Sequence, residues 1–172
     1  IFLFAAVAGY FITPLVIRFA DTFGLIDDPK KRYHPAHTHT SPVPRAGGLA
    51  LFLSILFSVL FFIPLSKKII GILLSSALLV VVGLFDDKKD INPYVRLITN
   101  MCAALIVIGT GVAIPYITNP ITGNILNLDT LRIQFSFFGP HSIVVYADIV
   151  AFLWIMWTMN TVGWSAGVDG QM

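Results

Sequence analysis

Cysteine is almost missing from this chain: Cys102 stands alone, so no disulfide can form within it and a secreted disulfide scaffold is excluded. Charge is scarce too. Asp, Glu, Lys and Arg make up 12% of the residues, about half of the roughly 25% usual in soluble domains. The formal net charge of +2 gives no electrostatic footprint for nucleic acid. Internal repeats and low-complexity stretches are lacking as well. What fills the chain is apolar: 56% of its 172 residues, against about 45–50% in soluble proteins. A soluble globular domain is thereby excluded in favour of a multi-spanning membrane protein.

Five apolar segments, 1–20, 47–65, 69–85, 97–114 and 143–160, approach the roughly 20 residues that carry a helix across a hydrocarbon core. They do not read as barrel strands, which need short alternating segments, whereas Leu49 to Ile63 and Ile69 to Phe85 are apolar almost all round. Asp27-Asp28-Pro29, Pro64, Asn92-Pro93 and the stretch from Pro115 to Pro140 mark the breaks. The expected fold is an all-α polytopic membrane protein with five transmembrane helices in one membrane domain over residues 1–172.

Lys and Arg are sorted by side. Arg18, Lys30, Lys31, Arg32, Arg45, Lys88, Lys89 and Arg96 fall in or beside the first and third loops, while Lys67, Lys68 and Arg132 fall opposite. By the positive-inside rule the first and third loops face the cytoplasm, and so does the segment after Asn160. On the other side, Ile125 to Leu128 and Leu131 to Phe135 read as two strands of a small extracytoplasmic hairpin turning at Asp129-Thr130. That turn lacks the glycine a tight hairpin prefers. Asp148 reads as a carboxylate at a helix start rather than an intramembrane proton site.

Three polar loops on the cytoplasmic side carry the candidate chemistry. The first is Gly83-Leu84-Phe85-Asp86-Asp87-Lys88-Lys89-Asp90. If the helix continues, Asp86, Asp87 and Asp90 crowd onto about one turn, and such mutually repelling carboxylates suit a divalent cation. Mg²⁺ fits best, with Mn²⁺ as the substitute, because it is held by one or two carboxylates plus substrate phosphates. A solvated loop neutralised by Lys88 and Lys89 is the bland alternative. The second loop runs from Gly24 to His34 and on through Pro42-Val43-Pro44-Arg45-Ala46-Gly47-Gly48. Arg32, His34 and Arg45 beside a glycine pair at a helix start suit an anionic phosphate; positive-inside topology alone is the other account of the same basic residues. His34, His37 and His39 lack a fourth ligand for zinc. The third loop, Asn160 to Gly170, offers an amide and the Asp169 carboxylate in a glycine-rich setting, as a nucleotide-sugar pocket requires, or else an ordinary helix end.

Together the three loops closely resemble the polyprenyl-phosphate N-acetylhexosamine-1-phosphate transferase family (glycosyltransferase family 4). Gly24, Asp27, Pro29, Arg32, His34, Pro42, Pro44, Arg45, Gly47 and Gly48 match its first motif; Asp86, Asp87 and Asp90 match its D-D-x-x-D; Asn160, Gly167, Asp169 and Gly170 match its third stretch. Gly163 and Ala166 depart, standing where the family has Asn and Asp. An Asp at position 90 resembles the glycan-initiating branch, and the resemblance covers essentially the whole chain. Since the sequence starts at Ile1 without Met and ends at Met172 inside a loop, an N-terminal part of a longer transferase is expected.

The resemblance implies a Mg²⁺-dependent membrane transferase. It would move a sugar-1-phosphate from a UDP-sugar, UDP-N-acetylglucosamine first, to a polyprenyl phosphate, releasing UMP and initiating a cell-envelope glycan. Asp86 and Asp87 would be the catalytic and metal residues; Asp90, Asn160, Asp169, Arg45, Arg32 and His34 would bind substrate. The implied partners are the prenyl phosphate lipid, the UDP-sugar, the bilayer and a second copy of the chain in a homodimer. The rival class is a cation-coupled transporter using the Asp cluster, but transporters place such groups near the midplane of repeated halves. CDP-alcohol phosphotransferases and intramembrane prenyltransferases are further rivals, whose longer Asp spacings do not match 86, 87 and 90.

Overall fold

The structure, a computed structural model, describes residues 1–27, 42–119, 121–136 and 140–164. Among them are five helices: α1 (Phe2–Phe23), α2 (Gly47–Phe62), α3 (Lys67–Lys89), α4 (Pro93–Gly109) and α5 (Val145–Trp164). Each covers one of the expected apolar segments, with ends set by local chemistry. Helix α2 stops at Phe62 because Ile63 precedes Pro64 and turns extended, at φ −124° and ψ 128°. Helix α4 starts early, on Asn92-Pro93, and is followed by Gly111 at φ 89°, a left-handed value that ends the run.

Three helices are long and apolar enough to cross a membrane: Phe2–Phe23, Lys67–Lys89 and Val145–Gly163. The other two, of 16 and 17 residues, are shorter. At a rise of 1.5 Å per residue they reach roughly 24–26 Å, against about 30 Å of hydrocarbon.

The chain divides into two compact units, Ile1–Ser66 with Ser76–Thr99, and Lys67–Ser75 with Asn100–Met172. In the first, α1 packs on α2 through small side chains and through the ring of Phe4, which meets those of Phe61 and Phe62 edge-on. Ala50, Ser54 and Ser58 are buried at four-residue spacing along α2, and a Cβ on Gly9 would stand 3.3 Å from Ser54 Oγ. Small residues at this crossing let the backbones approach closely. The serine hydroxyls donate within their own helix, Ser54 to the Ala50 carbonyl and Ser58 to the Ser54 carbonyl, both at 2.7 Å. Below this contact sits a cluster of Val16, Ala20, Leu25, Ala46 and Ala50, with Leu84 of α3 packed against it.

In the second unit the buried residues are again small: Ala103 and Ala104 of α4, Ala147 and Ala151 of α5. Gly71 of α3 lies so close to Thr110 that a Cβ could not be added without displacing it. Asp148 is in the first turn of α5, where its Oδ2 accepts the Val144 N–H at 2.9 Å. It serves the helix start, as its place in the sequence led one to expect.

The hairpin between α4 and α5 differs from the expected one. Strand β4 (Ile125–Asn127) pairs not across Asp129-Thr130 but back onto β3 (Tyr116–Thr118), with Ile117 opposite Leu126. Strand β5 (Arg132–Ser136) pairs forward onto β6 (Pro140–Val144), with Ile133 opposite Ile143. The β3–β4 turn has what Asp129-Thr130 lacks. Gly123 takes φ 71°, its N–H reaches the Asn119 carbonyl at 2.9 Å, and Asn119 Oδ1 accepts the Ile121 N–H at 2.9 Å. Asp129-Thr130 instead joins two ribbons, braced by an Asp129–Arg132 ion pair. That pair holds the Asp129 carboxyl below its ordinary range, through the hydrogen bond from Arg132.

Candidate functional site

The first motif is closed at its base. Helix α1 ends on Gly24 at φ 70° and ψ 32°, where the Gly24 N–H bonds to the Asp21 carbonyl and the Leu25 N–H to the Ala20 carbonyl at 2.8 Å. This is a Schellman end, with Ala20 and Leu25 in the same buried apolar cluster. The chain leaves it as β1 (Ile26–Asp27), which pairs antiparallel with β2 (Val43–Pro44), Asp27 facing Val43. The Arg45 N–H adds a bond to the Leu25 carbonyl at 2.9 Å. The two halves of the motif, far apart in sequence, are thus brought together with half-buried Arg45 at the junction. Gly47 and Gly48 open α2 as expected, with open space around each and no side-chain cap on the helix start. Arg32 and His34 fall in 28–41, outside the described residues.

The carboxylate segment is arranged differently from three acids on one continuing turn. Helix α3 stops at Lys89, and Asp90 takes φ 47°, a left-handed conformation that Asp tolerates better than most residues. Asp90 is therefore swung out of the helical register that would align it with Asp86. The chain restarts at once, because Asn92 caps α4: its Oδ1 accepts the Tyr94 N–H at 3.0 Å, and Pro93 takes the first helical position.

Asp86 joins the two helices. Its main-chain carbonyl accepts the Asp90 N–H at 2.8 Å, its Oδ1 the Ile91 N–H at 2.9 Å, and its Oδ2 lies 2.6 Å from Arg96 Nη2. Arg96 is legible in the sequence only as one of the basic residues expected on the cytoplasmic side. The signal for the pair is an acid in the last turn of one helix and a base in the first turn of the next. Asp87, half-buried, and exposed Asp90 complete the segment.

Among the described residues no group of three His, Cys, Asp or Glu side chains converges on a metal position. The donor chemistry nevertheless fits Mg²⁺, which needs only one or two carboxylates besides phosphate oxygens. Acids at a helix C-terminus also face its partial negative charge, and a cation there is stabilising.

Asp86, Asp87, Asp90 and Arg45 belong to one compact unit, and Leu84, two residues before Asp86, packs on the cluster containing Ala46, next to Arg45. Asn160 belongs to the other unit. It is still helical there, half-buried, its Nδ2 donating to the Met156 carbonyl at 2.7 Å. Helix α5 carries on to Trp164, so the expected loop starts later than Asn160, and Gly163 has open space where a Cβ would go. Asp169 and Ala166 lie in 165–172, outside the described residues.

Comparison with known proteins gives one family. The profile described as glycosyl transferase family 4 matches residues 69–172. Over 160 residues the chain is 26% identical to the probable undecaprenyl-phosphate N-acetylglucosaminyl 1-phosphate transferase of Bacillus subtilis, covering 92% of this chain and 39% of that protein. It is 29% identical over 128 residues to the decaprenyl-phosphate N-acetylglucosaminephosphotransferase of Mycobacterium tuberculosis H37Rv, covering 69% and 31%. With the undecaprenyl-phosphate alpha-N-acetylglucosaminyl 1-phosphate transferase of Pasteurella multocida the figures are 32% over 104 residues, 60% and 28%. The chain therefore spans well under half the length of these relatives. No solved structure matches it.

Proposed function

This chain belongs to glycosyl transferase family 4, and from that premise we propose that it works in the transfer of N-acetylglucosamine-1-phosphate from UDP-N-acetylglucosamine to a polyprenyl phosphate, with release of UMP. The observation that carries the reading is the family match together with one compact unit holding Arg45, Asp86 and Asp87. The named relatives act on undecaprenyl or decaprenyl phosphate, which supports the lipid acceptor. A transporter has no support among them.

In this reading the five helices cross the cytoplasmic membrane, α2 and α4 as short spans, and the site faces the cytoplasm. The sorting of Lys and Arg supports that orientation. The reaction joins two anions: an oxygen of the lipid phosphate forms a bond to the sugar-linked phosphorus, and the bond to the UMP oxygen breaks. Asp86 and Asp87 hold the divalent cation, Mg²⁺ or Mn²⁺. Bound there, the ion supplies charge neutralisation for the diphosphate. One of the two carboxylates takes any proton left on the lipid phosphate. Arg45, with Arg32 and His34 of the same motif, draws in phosphate oxygens beside the α2 start. Asn160 and Asp169 serve the donor, and Asp90 supports the carboxylate pair.

Membranes carrying the full-length protein, with labelled UDP-N-acetylglucosamine and undecaprenyl phosphate, test this. Lipid-linked sugar and UMP should form in equal amounts and cease with EDTA. Asp86→Asn and Asp87→Asn should each lower kcat by about a hundredfold or more, as for loss of a base or metal contact. Absence of product, or near-normal turnover in both variants, refutes the reading.

A further inference from the structure

We propose that Arg96 is a positioning residue which fixes the Asp86 carboxylate across the α3–α4 connection. The proposal deepens the function above and rests on it for its kinetic consequences.

Three observations converge on it. First, each charge stands at the wrong end of its own helix. Asp86 is in the last turn of α3, where carbonyl ends gather negative charge, and Arg96 is in the first turn of α4, where N–H groups gather positive charge. Neither position is favourable alone, and the pair relieves both.

Second, the carboxylate is held at two points. Oδ1 takes the Ile91 N–H at 2.9 Å and Oδ2 takes Arg96 at 2.6 Å. Two donors from different directions stop rotation about the Cβ–Cγ bond, so the plane of the carboxylate is defined before substrate arrives.

Third, exposure decides what the pair is for. The Arg96 side chain is 58% exposed and that of Asp86 17%, so water screens the attraction and the pair contributes little to folding. Orientation is a different matter, since about 1 Å of misplacement at a reacting group costs on the order of a hundredfold in rate. A direct grip of Arg96 on the anionic substrate is the competing role, and it moves KM rather than kcat.

The test uses Arg96→Met and Arg96→Lys in the full-length protein, read by hydrogen exchange and by kinetics. In Arg96→Met, the Ile91 amide should exchange about tenfold faster or more, because opening of its bond to Asp86 becomes easier. The kcat should fall about 10- to 100-fold while KM for UDP-N-acetylglucosamine and for the prenyl phosphate stays within about threefold. Arg96→Lys should restore both readouts to within about threefold, since an ammonium still engages one oxygen. Adding Arg96→Met to Asp86→Asn should slow the enzyme no further. Unchanged Ile91 exchange in Arg96→Met overturns the proposal, and so does a raised KM at normal kcat. If the parent protein makes no lipid-linked sugar, the proposed function fails, while the exchange result still decides whether Arg96 holds Asp86.

Discussion

Replacing Gly71 with alanine puts a methyl group into space that Thr110 already fills. A Cβ at position 71 would lie 2.9 Å from Thr110 Cβ and closer still to Thr110 Oγ1 and Cγ2. Turning χ1 of Thr110 moves the last two atoms away, at the loss of the bond from Oγ1 to the Val107 carbonyl at 2.7 Å. It does not move the Cβ. The backbone at the end of α4 or along α3 must therefore shift. Overpacking of this kind costs about 1–3 kcal/mol, which lowers the unfolding temperature, by less per kcal/mol the longer the chain. Gly9 is the internal comparison, because there the nearest atom is Ser54 Oγ at 3.3 Å and a few tenths of an ångström suffice. Thermal unfolding of the purified full-length protein in detergent, for Gly71→Ala, Gly9→Ala and the double change Gly71→Ala with Thr110→Ala, is the assay. Gly71→Ala should be the least stable single variant. Thr110→Ala should recover most but not all of the loss, since it leaves Cβ in place. Equal stability of Gly71→Ala and parent, or no recovery in the double variant, refutes the reasoning.

Single cysteines at Ala36, Ser66, Lys89 and Asn124 should be labelled from outside only at 66 and 124; labelling at 36 or 89 instead would overturn the orientation drawn from Lys and Arg. Asp129 should titrate below the usual carboxyl value of about 3.9, because Arg132 hydrogen-bonds its charged form. Its stabilising effect is then fully present above that value and lost as pH falls through the lowered one, and NMR should show the titration moving up in Arg132→Met. Restoring Gly163→Asn and Ala166→Asp should change kcat/KM among UDP-sugars, as Gly163 has room for a side chain; an unchanged preference would show both positions to be tolerant.

The helices were legible because long apolar runs between proline and charge admit little else. Their ends were less so: the start of α4 depended on Asn92 acting as a cap, and the end of α2 on Ile63 turning extended before Pro64. Strand pairing departs from the expectation because β4 and β5 are both plausible strands and lie side by side in sequence. The choice fell to Gly123 and Asn119, which build a better turn than Asp129-Thr130. In the candidate site, residue types revealed the carboxylates, but the left-handed turn of Asp90 and the hold of Arg96 on Asp86 are matters of three-dimensional closure. Residue spacing along an unbroken helix encodes neither of them.

Among the described residues no large side chain is fully buried; alanine, serine and glycine make up most of what the helices hide from their surroundings. Ser54 and Ser58 need no partner beyond their own helix. Pulling α1 from α2 would uncover these small residues together with the rings of Phe4, Phe61 and Phe62, which meet edge-on across the pair, but in a hydrocarbon phase it would turn them to lipid and not to water. Unfolding of a water-soluble domain has a large heat-capacity increase because it exposes greasy side chains to water. Separation of these helices within a hydrocarbon phase should have almost none. Its free energy would then vary nearly linearly with temperature, with no cold-denaturation limb, and the association would be governed by contact distance between backbones rather than by the avoidance of water.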